Sequence, residues 1–138
     1  MKINDPQALA GMTEAFDRYE RALMDNDPAT LELLFWNSPH TLRYGVAENL
    51  YGWDEICAFR QARANRGGAP QRRITKRVLT TYGDDFGTAN IEYVRDSGKA
   101  GRQSQTWMRT PEGWRVVAAH VSMLAAADAD PGSKPRAS

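Results

Sequence analysis

The sequence predicts an α+β fold in which N-terminal helices pack on one face of a curved antiparallel sheet. Three observations support this fold class. The 138 residues, of which 41% are hydrophobic, suit one domain with an ordinary core. Apolar residues at helical spacing occur in the first half of the chain, whereas the second half consists of strand-like stretches between turns. A sheet that curls around helices in this way leaves a cone with a pocket inside it.

Two helices are predicted at signals in which a capping residue precedes a proline. Asn4 or Asp5 can cap the first helix, and the Asp27-Pro28 pair starts a short second helix that should end at the break over residues 36–39. The first helix carries one apolar stripe, whose members recur three or four residues apart: Leu9, Met12, Phe16, Tyr19 and Leu23. This stripe should face the sheet.

Two short strands and a third helix follow. Residues 41–44 are predicted to form a strand, Gly45 to turn the chain, and residues 48–51 to form a partner strand. The third helix is expected from about residue 54 to residue 64. Residues 63–70 contain two glycines and a proline without apolar periodicity, which is typical of a mobile connector or a lid.

The rest of the domain is predicted to be an antiparallel meander. Turn-forming residues separate four strands, which are expected at residues 72–82, 86–95, 102–110 and 114–124. We expect residues 1–125 to form the single domain. The remaining residues, 126–138, are small, polar and proline-bearing, which is typical of a disordered tail.

The composition excludes several classes of protein. The net charge of +1 argues against a nucleic-acid binder, and no apolar run approaches the roughly 20 residues that span a bilayer, so neither nucleic acid nor membrane is an expected partner. The N-terminus lacks the basic-then-apolar order of a signal peptide, and we therefore expect a cytoplasmic protein.

The same composition limits the chemistry of a site. The single cysteine, Cys57, and the two histidines permit neither a disulfide nor a dense metal-ligand cluster. A glycine-rich phosphate loop is also absent from the sequence. We therefore expect no metal, from the Cys and His count, and no cofactor. Cys57 lies in an apolar helical stretch and is interpreted as a core residue rather than a nucleophile.

Two residues of the first half could carry chemistry. Tyr19 lies on the buried stripe, where its hydroxyl needs a partner; the alternative is a structural tyrosine bonded to a backbone carbonyl. Arg43 lies in a short strand, and an inward guanidinium, which cannot lose its charge, is a fork for the two oxygens of a ligand carboxylate. The alternatives for Arg43 are an ion pair with Glu48 across the turn or an outward, solvated side chain.

The last strand adds two polar candidates. Alternation along the strand places His120 and Ser122 in line with Val116 and Ala118. A polar pair that continues an apolar row is typical of a pocket wall that reaches solvent at the opening of the pocket. The alternative is an edge position that is open to solvent.

The preceding strand has a mixed face of its own. Gln103, Gln105 and Trp107 share this face, in which polar groups stand beside one aromatic side chain. The opposite face carries Ser104, Thr106 and Met108. Periodicity leaves open which of the two faces points inward.

Several stretches resemble a known superfamily. The run YERALMDND followed by FWNSPHTLRYG resembles the opening of the NTF2-like, SnoaL-like superfamily, which includes ketosteroid isomerase. The strings FWNSPHTLRYGVAENLYG, TYGDDFGTANIEYVR and GRQSQTWMRTPEGWRVVAAHVSML are similar to small proteins associated with oxalurate catabolism and cyanuric-acid breakdown. The resemblance covers about residues 1–124. It implies the NTF2-like cone with its enclosed pocket, and assembly as a homodimer or higher homo-oligomer.

The resemblance also implies roles for two residues. Tyr19 falls where ketosteroid isomerases keep the hydroxyl donor of their oxyanion hole, and Arg43 falls where they keep the aspartate that abstracts a proton. A permanent cation in place of a base removes isomerase chemistry and implies anion binding instead. In the cyanuric-acid relatives, a tyrosine and an arginine at these positions are taken as the catalytic pair of a decarboxylating amidohydrolase.

Two functions are therefore expected. The first is a cofactor-free hydrolase or decarboxylase of a small carboxylated urea, such as dicarboxyurea, an allophanate precursor or an oxalurate relative, with Tyr19 and Arg43 as catalytic residues. Four further residues would bind the small carboxylate substrate: His120, Gln105, Trp107 and Ser122. The alternative is a non-catalytic binding or accessory protein for a pathway amidase. A steroid isomerase or polyketide cyclase rests on fold analogy and is disfavoured by Arg43.

Overall fold

The helices begin and end close to where the sequence predicts them. The computed structural model describes residues 1–125, and the tail predicted for residues 126–138 lies outside the described residues. Three helices are present in the described part: α1 (Pro6–Met24), α2 (Pro28–Leu34) and α3 (Trp53–Ala64). Asp5 caps α1 by accepting a hydrogen bond from the backbone nitrogen of Ala8 at 3.2 Å, and Asp27 caps α2 in the same way. In residues 1–125, no helix combines the length and the apolar character needed to cross a membrane.

Six strands form one curved sheet that does not close into a barrel. The strands are β1 (Leu42–Tyr44), β2 (Asn49–Tyr51), β3 (Arg72–Tyr82), β4 (Phe86–Arg95), β5 (Ala100–Thr110) and β6 (Gly113–Met123). Their order in the sheet is β2-β1-β6-β5-β4-β3. The helices pack on this sheet, and the predicted α+β fold is confirmed.

One strand pair departs from the predicted antiparallel arrangement. β1 and β6 are parallel, whereas the other neighbouring pairs are antiparallel. Each antiparallel pair is joined by a short turn. The chain between β1 and β6 instead passes through a helix and four other strands, so no hairpin fixes their relative direction.

The core lies between the apolar stripe of α1 and the concave face of the sheet. Met12 and Phe16 on the helix are fully buried, as are Trp107 and Val116 on β5 and β6. Burial of each such side chain contributes about 1.5–3 kcal/mol to stability. The helix approaches the sheet closely at Gly11, where an added Cβ atom would lie 2.7 Å from Trp114 Nε1. The same packing holds the C-terminal half of α1, with Tyr19, over the middle of the sheet.

A β-bulge interrupts the regular alternation of β6. The pairing of β5 with β6 runs from Thr106 opposite Ala118 directly to Trp107 opposite Val116. Val117 is therefore an extra residue without a partner in the ladder. An extra residue reverses the facing of every position that follows it.

The bulge corrects the prediction for His120 and Ser122. Beyond the bulge, Ala119 and Val121 are the buried, inward residues of β6. His120 is exposed and Ser122 is half-buried on the opposite, convex face. The prediction that these two side chains continue the pocket wall is therefore wrong, because strict alternation does not pass through Val117.

Candidate active site

One cavity opens between the helices and the concave face of the sheet. Its volume is about 160 Å³, the space of about five water molecules. Pockets for drug-sized ligands start at about 300 Å³, so this cavity suits a small molecule. Tyr19 from α1 and Arg43 from β1 both line it, together with side chains from α3 and from β3 to β6.

Tyr19 is buried with its ring held by aromatic neighbours. The ring lies edge-on to Trp107, with centroids 6.5 Å apart, and tilted against Phe35 at 6.2 Å. The bond to a backbone carbonyl that a purely structural tyrosine would make is not among the side-chain-to-backbone hydrogen bonds of residues 1–125. The hydroxyl is therefore available to a molecule in the cavity.

Charges around Tyr19 make its phenol more acidic than usual. Burial alone raises the pKa of Tyr19, but the positive charges of Arg60, Arg72 and Arg43 outweigh burial and leave the pKa below its ordinary value. Glu20 acts in the opposite direction and is the weaker influence. A phenol in this setting is a better proton donor than a tyrosine in water.

Arg43 points inward and already has one protein partner. Its side chain is 6% exposed, and Nη1 donates to Glu48 Oε2 at 3.0 Å across the turn. Gly45 permits this contact, because a Cβ atom there would overlap the Glu48 carboxylate. The ion pair left open by the sequence is thus present, and it uses one of the guanidinium nitrogens. The guanidinium also lies over the ring of Phe59, 5.0 Å from its centroid.

Arg72 is a second buried cation in the cavity, and the sequence analysis missed it. Two of its nitrogens donate to the two carboxylate oxygens of Glu20, at 2.7 and 3.0 Å, and a third donates to Gln103 Oε1 at 3.2 Å. Burial alone lowers the pKa of Arg72, but the Glu20 carboxylate, together with Tyr19 and Tyr93, more than offsets this and raises the pKa. Arg72 lies over the Tyr93 ring at 4.5 Å. No local signal marks it, because β3 begins with a run of basic residues.

Arg63, in the last turn of α3, is a third cation in the cavity. Its guanidinium lies 4.9 Å from the centroid of the Phe59 ring, which Arg43 also contacts. Burial, together with the neighbouring charges of Arg60 and Arg43, lowers the pKa of Arg63 to about 10. Arg63 therefore remains charged near neutrality. Arg63 stands at the start of the stretch predicted to be a loop, where the sequence indicates no role for it.

Arg60 is completely buried beside Tyr19. None of its three guanidinium nitrogens has a hydrogen-bond partner among the described residues. It lies over Phe35 at 5.0 Å and over Tyr19 at 5.9 Å. A desolvated cation–π contact contributes about 2 kcal/mol, whereas burying an unpaired ion costs several kcal/mol even after relaxation. On these magnitudes, the aromatic contacts of Arg60 do not offset the cost of burying its guanidinium.

Positive charge dominates the cavity as a whole. Four arginines and one glutamate line it: Arg43, Arg63, Arg72, Arg95 and Glu48. Within residues 1–125, neither Arg63 nor Arg95 takes part in an ion pair. A small cavity with this excess of cations favours an anionic ligand, and planar guanidinium groups favour carboxylates in particular.

The structure settles which face of β5 points inward. Gln103, Gln105 and Trp107 are buried against the helices, and Trp107 Nε1 donates to Gln105 Oε1 at 3.0 Å. Gln103 lines the cavity, whereas Gln105 and Trp107, which the sequence analysis chose as binding residues, lie beside it. The amide nitrogens of Gln103 and Gln105 have no partner among the described residues, so the interior offers further unused donors.

The other residues that could carry chemistry, His120 and Cys57, do not line the cavity. His120 stacks edge-on against Tyr44 at 5.6 Å, outside the cavity. Burial raises the pKa of Cys57 to about 12, so its thiol stays protonated near neutrality, although the residue is only partly buried. Among residues 1–125, no three His, Cys, Asp or Glu side chains are grouped so that they could hold a metal ion.

Comparison with known proteins gives the family. A family model described as AtzH-like matches residues 1–127. The chain belongs to the AtzH-like family. A solved structure of a protein of unknown function from Pectobacterium atrosepticum is 51% identical to this chain, covers 89% of it and 95% of its own chain, and has a TM-score of 0.84. A cystatin-like fold protein from Burkholderia xenovorans is 42% identical, covers 92% of this chain and 99% of its own, and also has a TM-score of 0.84.

More distant similarity confirms the fold predicted for this AtzH-like chain. A nuclear transport factor 2 (NTF2-like) superfamily protein from Salmonella enterica is 25% identical, covers 94% of this chain and 98% of its own, and has a TM-score of 0.70. No curated protein matches the AtzH-like chain significantly. The NTF2-like superfamily is thus confirmed, and the finer resemblance to oxalurate and dicarboxyurea proteins stays a prediction.

Proposed function

We propose that this AtzH-like protein is an enzyme that removes carbon dioxide from a small carboxylated urea, such as dicarboxyurea, in cyanuric-acid or ureide catabolism, without a cofactor. The observation that carries the proposal is the shared cavity of Tyr19 and Arg43. An acidic phenol and a guanidinium fork supply the two things that such a decarboxylation needs, a proton donor and an anion site. Family membership supports a place in s-triazine breakdown.

The cavity matches the charge and size of such a substrate. Dicarboxyurea is a small, planar dianion whose polar atoms, apart from two N–H groups, are acceptors. The cavity has an excess of arginines and an unused amide donor on Gln103, and its volume is about 160 Å³. Arg43 would hold one carboxylate, and the Gln103 amide would donate to the urea carbonyl oxygen.

The reaction requires one proton transfer. Each carboxylate of dicarboxyurea is bonded to a urea nitrogen. Tyr19 donates its proton to one of these nitrogens, the bond between that nitrogen and the carboxylate carbon breaks, the electron pair goes to the nitrogen, and carbon dioxide leaves. The product is allophanate, and the Tyr19 phenolate regains its proton from water. The two cavity arginines Arg72 and Arg43 stabilise the phenolate in the interval.

The leaving and the retained carboxylate of dicarboxyurea need different surroundings in the cavity. The leaving carboxylate loses its charge in the transition state, so an ion pair to it would favour the ground state and slow the reaction. The retained carboxylate keeps its charge throughout, so a guanidinium can hold it without penalty. We therefore assign Arg43 to the retained carboxylate and an apolar part of the wall, which includes Leu23 and Val121, to the leaving one.

A non-catalytic function uses the same cavity. A protein that carries a carboxylated urea, or that supports a larger amidase, would also need the arginines. It would have no use for an acidic phenol in the cavity, and this feature of Tyr19 favours the enzyme.

Turnover by the purified protein tests the proposal. We expect the protein alone to release carbon dioxide and allophanate from dicarboxyurea and to leave biuret, which has no carboxylate, unchanged. Release of carbon dioxide is measured by a coupled assay, with the spontaneous loss from dicarboxyurea subtracted. Binding without turnover, or turnover that requires an added amidase, would contradict the enzyme and favour the accessory protein.

Assembly as a homodimer is a second prediction. Large apolar residues of the last two strands do not supply the interface, because Trp107, Trp114 and Val116 face the helices. Val78 and Phe86, which are 46% and 48% exposed, remain as large apolar side chains on the outside of β3 and β4. We propose that a second copy covers them. Light scattering should give twice the 15.4 kDa of the chain, and a value of about 15 kDa at micromolar concentration would contradict the dimer.

A further inference from the structure

Arg60 is a buried cation that the proposed reaction does not use directly. It does not line the cavity, so it has no contact with a bound substrate. Its three nitrogens lack partners among residues 1–125, and its nearest aromatic neighbours are Phe35 and Tyr19. A buried group with unused donors is rare in folded proteins and calls for an explanation other than stability.

The position of Arg60 in α3 directs it to Tyr19. Ile56, one turn earlier on the same face of the helix, is fully buried, so this face packs on the core and carries the guanidinium inward. The Tyr19 ring is fixed from other sides by Phe35 and Trp107. The charge of Arg60 is therefore held at a constant place beside the phenol.

We propose that Arg60 is a positioning residue that acts through Tyr19: its buried guanidinium fixes the phenol and stabilises the phenolate that remains after proton transfer. The proposal rests on the proposed function only for its catalytic consequence. The interaction between the two side chains exists whether or not the substrate is correctly named.

The charged groups around Tyr19 support this role. Arg60 on α3, Arg72 on β3 and Arg43 on β1 lower its pKa, and Glu20 on α1 raises it. Of the three arginines, Arg60 has the largest influence on the pKa. Arg72 and Arg43 are each paired with a glutamate, whereas Arg60 has no carboxylate partner among the described residues. Its positive charge is therefore the least compensated of the three.

The variant Arg60→Met separates this role from a structural one. Methionine keeps much of the length and apolar contact but removes the charge. We expect the melting temperature to stay the same or rise, and kcat for carbon dioxide release to fall on the order of 10-fold. The variant Arg60→Lys keeps the charge without the planar group, and its kcat should lie between those of wild type and Arg60→Met.

A spectroscopic titration of Tyr19 provides a readout that does not depend on activity. Near-ultraviolet absorbance reports phenolate formation, and the difference between wild type and Tyr19→Phe isolates Tyr19 from the other tyrosines. Tyr19 should ionise at a higher pH in Arg60→Met than in wild type. Tyr19 must carry its proton to act as the donor, so the rate of carbon dioxide release falls as pH rises through the pKa of Tyr19. In Arg60→Met, this fall in rate should occur at a higher pH. The maximal rate at lower pH should be smaller than in wild type.

The variant Arg77→Met is the matched control. Arg77 also lies over an aromatic ring, that of Phe16 at 5.8 Å, but it lies outside the cavity. It should change neither the Tyr19 titration nor kcat. An unchanged Tyr19 titration in Arg60→Met, or loss of folding in that variant, would overturn the proposal. Absence of turnover by wild type would instead contradict the proposed function, and the titration would still decide the role of Arg60.

Discussion

Replacement of Arg43 by alanine is expected to lower kcat/KM for the carboxylated urea by about 10³-fold, because the retained carboxylate loses its guanidinium fork in a poorly solvated cavity. Arg43→Lys keeps the charge but not the parallel pair of hydrogen bonds, so its kcat/KM should lie between those of wild type and Arg43→Ala. Glu48 is partly exposed and can be solvated, so the melting temperature should change little. Steady-state kinetics with thermal melting measure both effects.

The variant Glu48→Gln distinguishes carboxylate binding from a structural ion pair. It removes the negative partner of Arg43 but leaves the guanidinium in the cavity. We expect kcat/KM to remain far above that of Arg43→Ala. If both variants lost activity equally, the ion pair itself would be what the protein needs, and the assignment of Arg43 to the substrate would be wrong.

Replacement of Tyr19 by phenylalanine is expected to lower kcat on the order of 10²-fold with a small change in KM. Only one oxygen is removed, and the ring keeps its contacts with Trp107 and Phe35. The hydroxyl makes no hydrogen bond to a backbone carbonyl among residues 1–125, so its loss should leave the melting temperature nearly unchanged. Enzyme kinetics and thermal melting of the same preparation test the prediction.

Tyr93 offers a matched control for Tyr19. It is also a buried tyrosine that lines the cavity, but its hydroxyl donates to Met123 Sδ at 3.5 Å. Tyr93→Phe should reduce kcat much less than Tyr19→Phe does. Wild-type turnover by Tyr19→Phe would show that its hydroxyl is not the proton donor, and would move the preference to the accessory protein.

The sequence predicts the elements well because their signals are local. Asp5 and Asp27 cap helices through contacts with residues three positions later, and such contacts depend on a few neighbouring residues. Gly83 and Gly98 adopt positive φ angles of 70° and 90° in the turns of the meander, a conformation that the residue type itself indicates. The spacing of the α1 stripe likewise predicts that Tyr19 faces inward.

The rest of the site depends on contacts between distant parts of the chain. Arg60, Arg63 and Arg72 resemble solvated surface residues in a basic stretch, and only packing against α1 and β1 turns them into a cluster. No hairpin turn connects β1 to β6, so no local sequence signal predicts their parallel pairing. The bulge at Val117 lies in a run of small apolar residues that gives no sign of a break in alternation. Contacts between distant parts of the chain determine each of these features, so local sequence patterns do not predict them.

The extra residue in β6 decides which positions of this strand can reshape the cavity. Val121 lines the cavity and Ala119 is buried beside it, so these odd-numbered positions are the places on β6 where a change of side-chain volume would reshape the space for a longer or bulkier ureido acid. Libraries at the neighbouring even-numbered positions would alter only the outer surface. A relative that lacks the bulge would have one residue fewer in this strand, so alignments used to transfer substrate preference must place the gap at Val117; a gap placed elsewhere in β6 would match inward positions with outward ones.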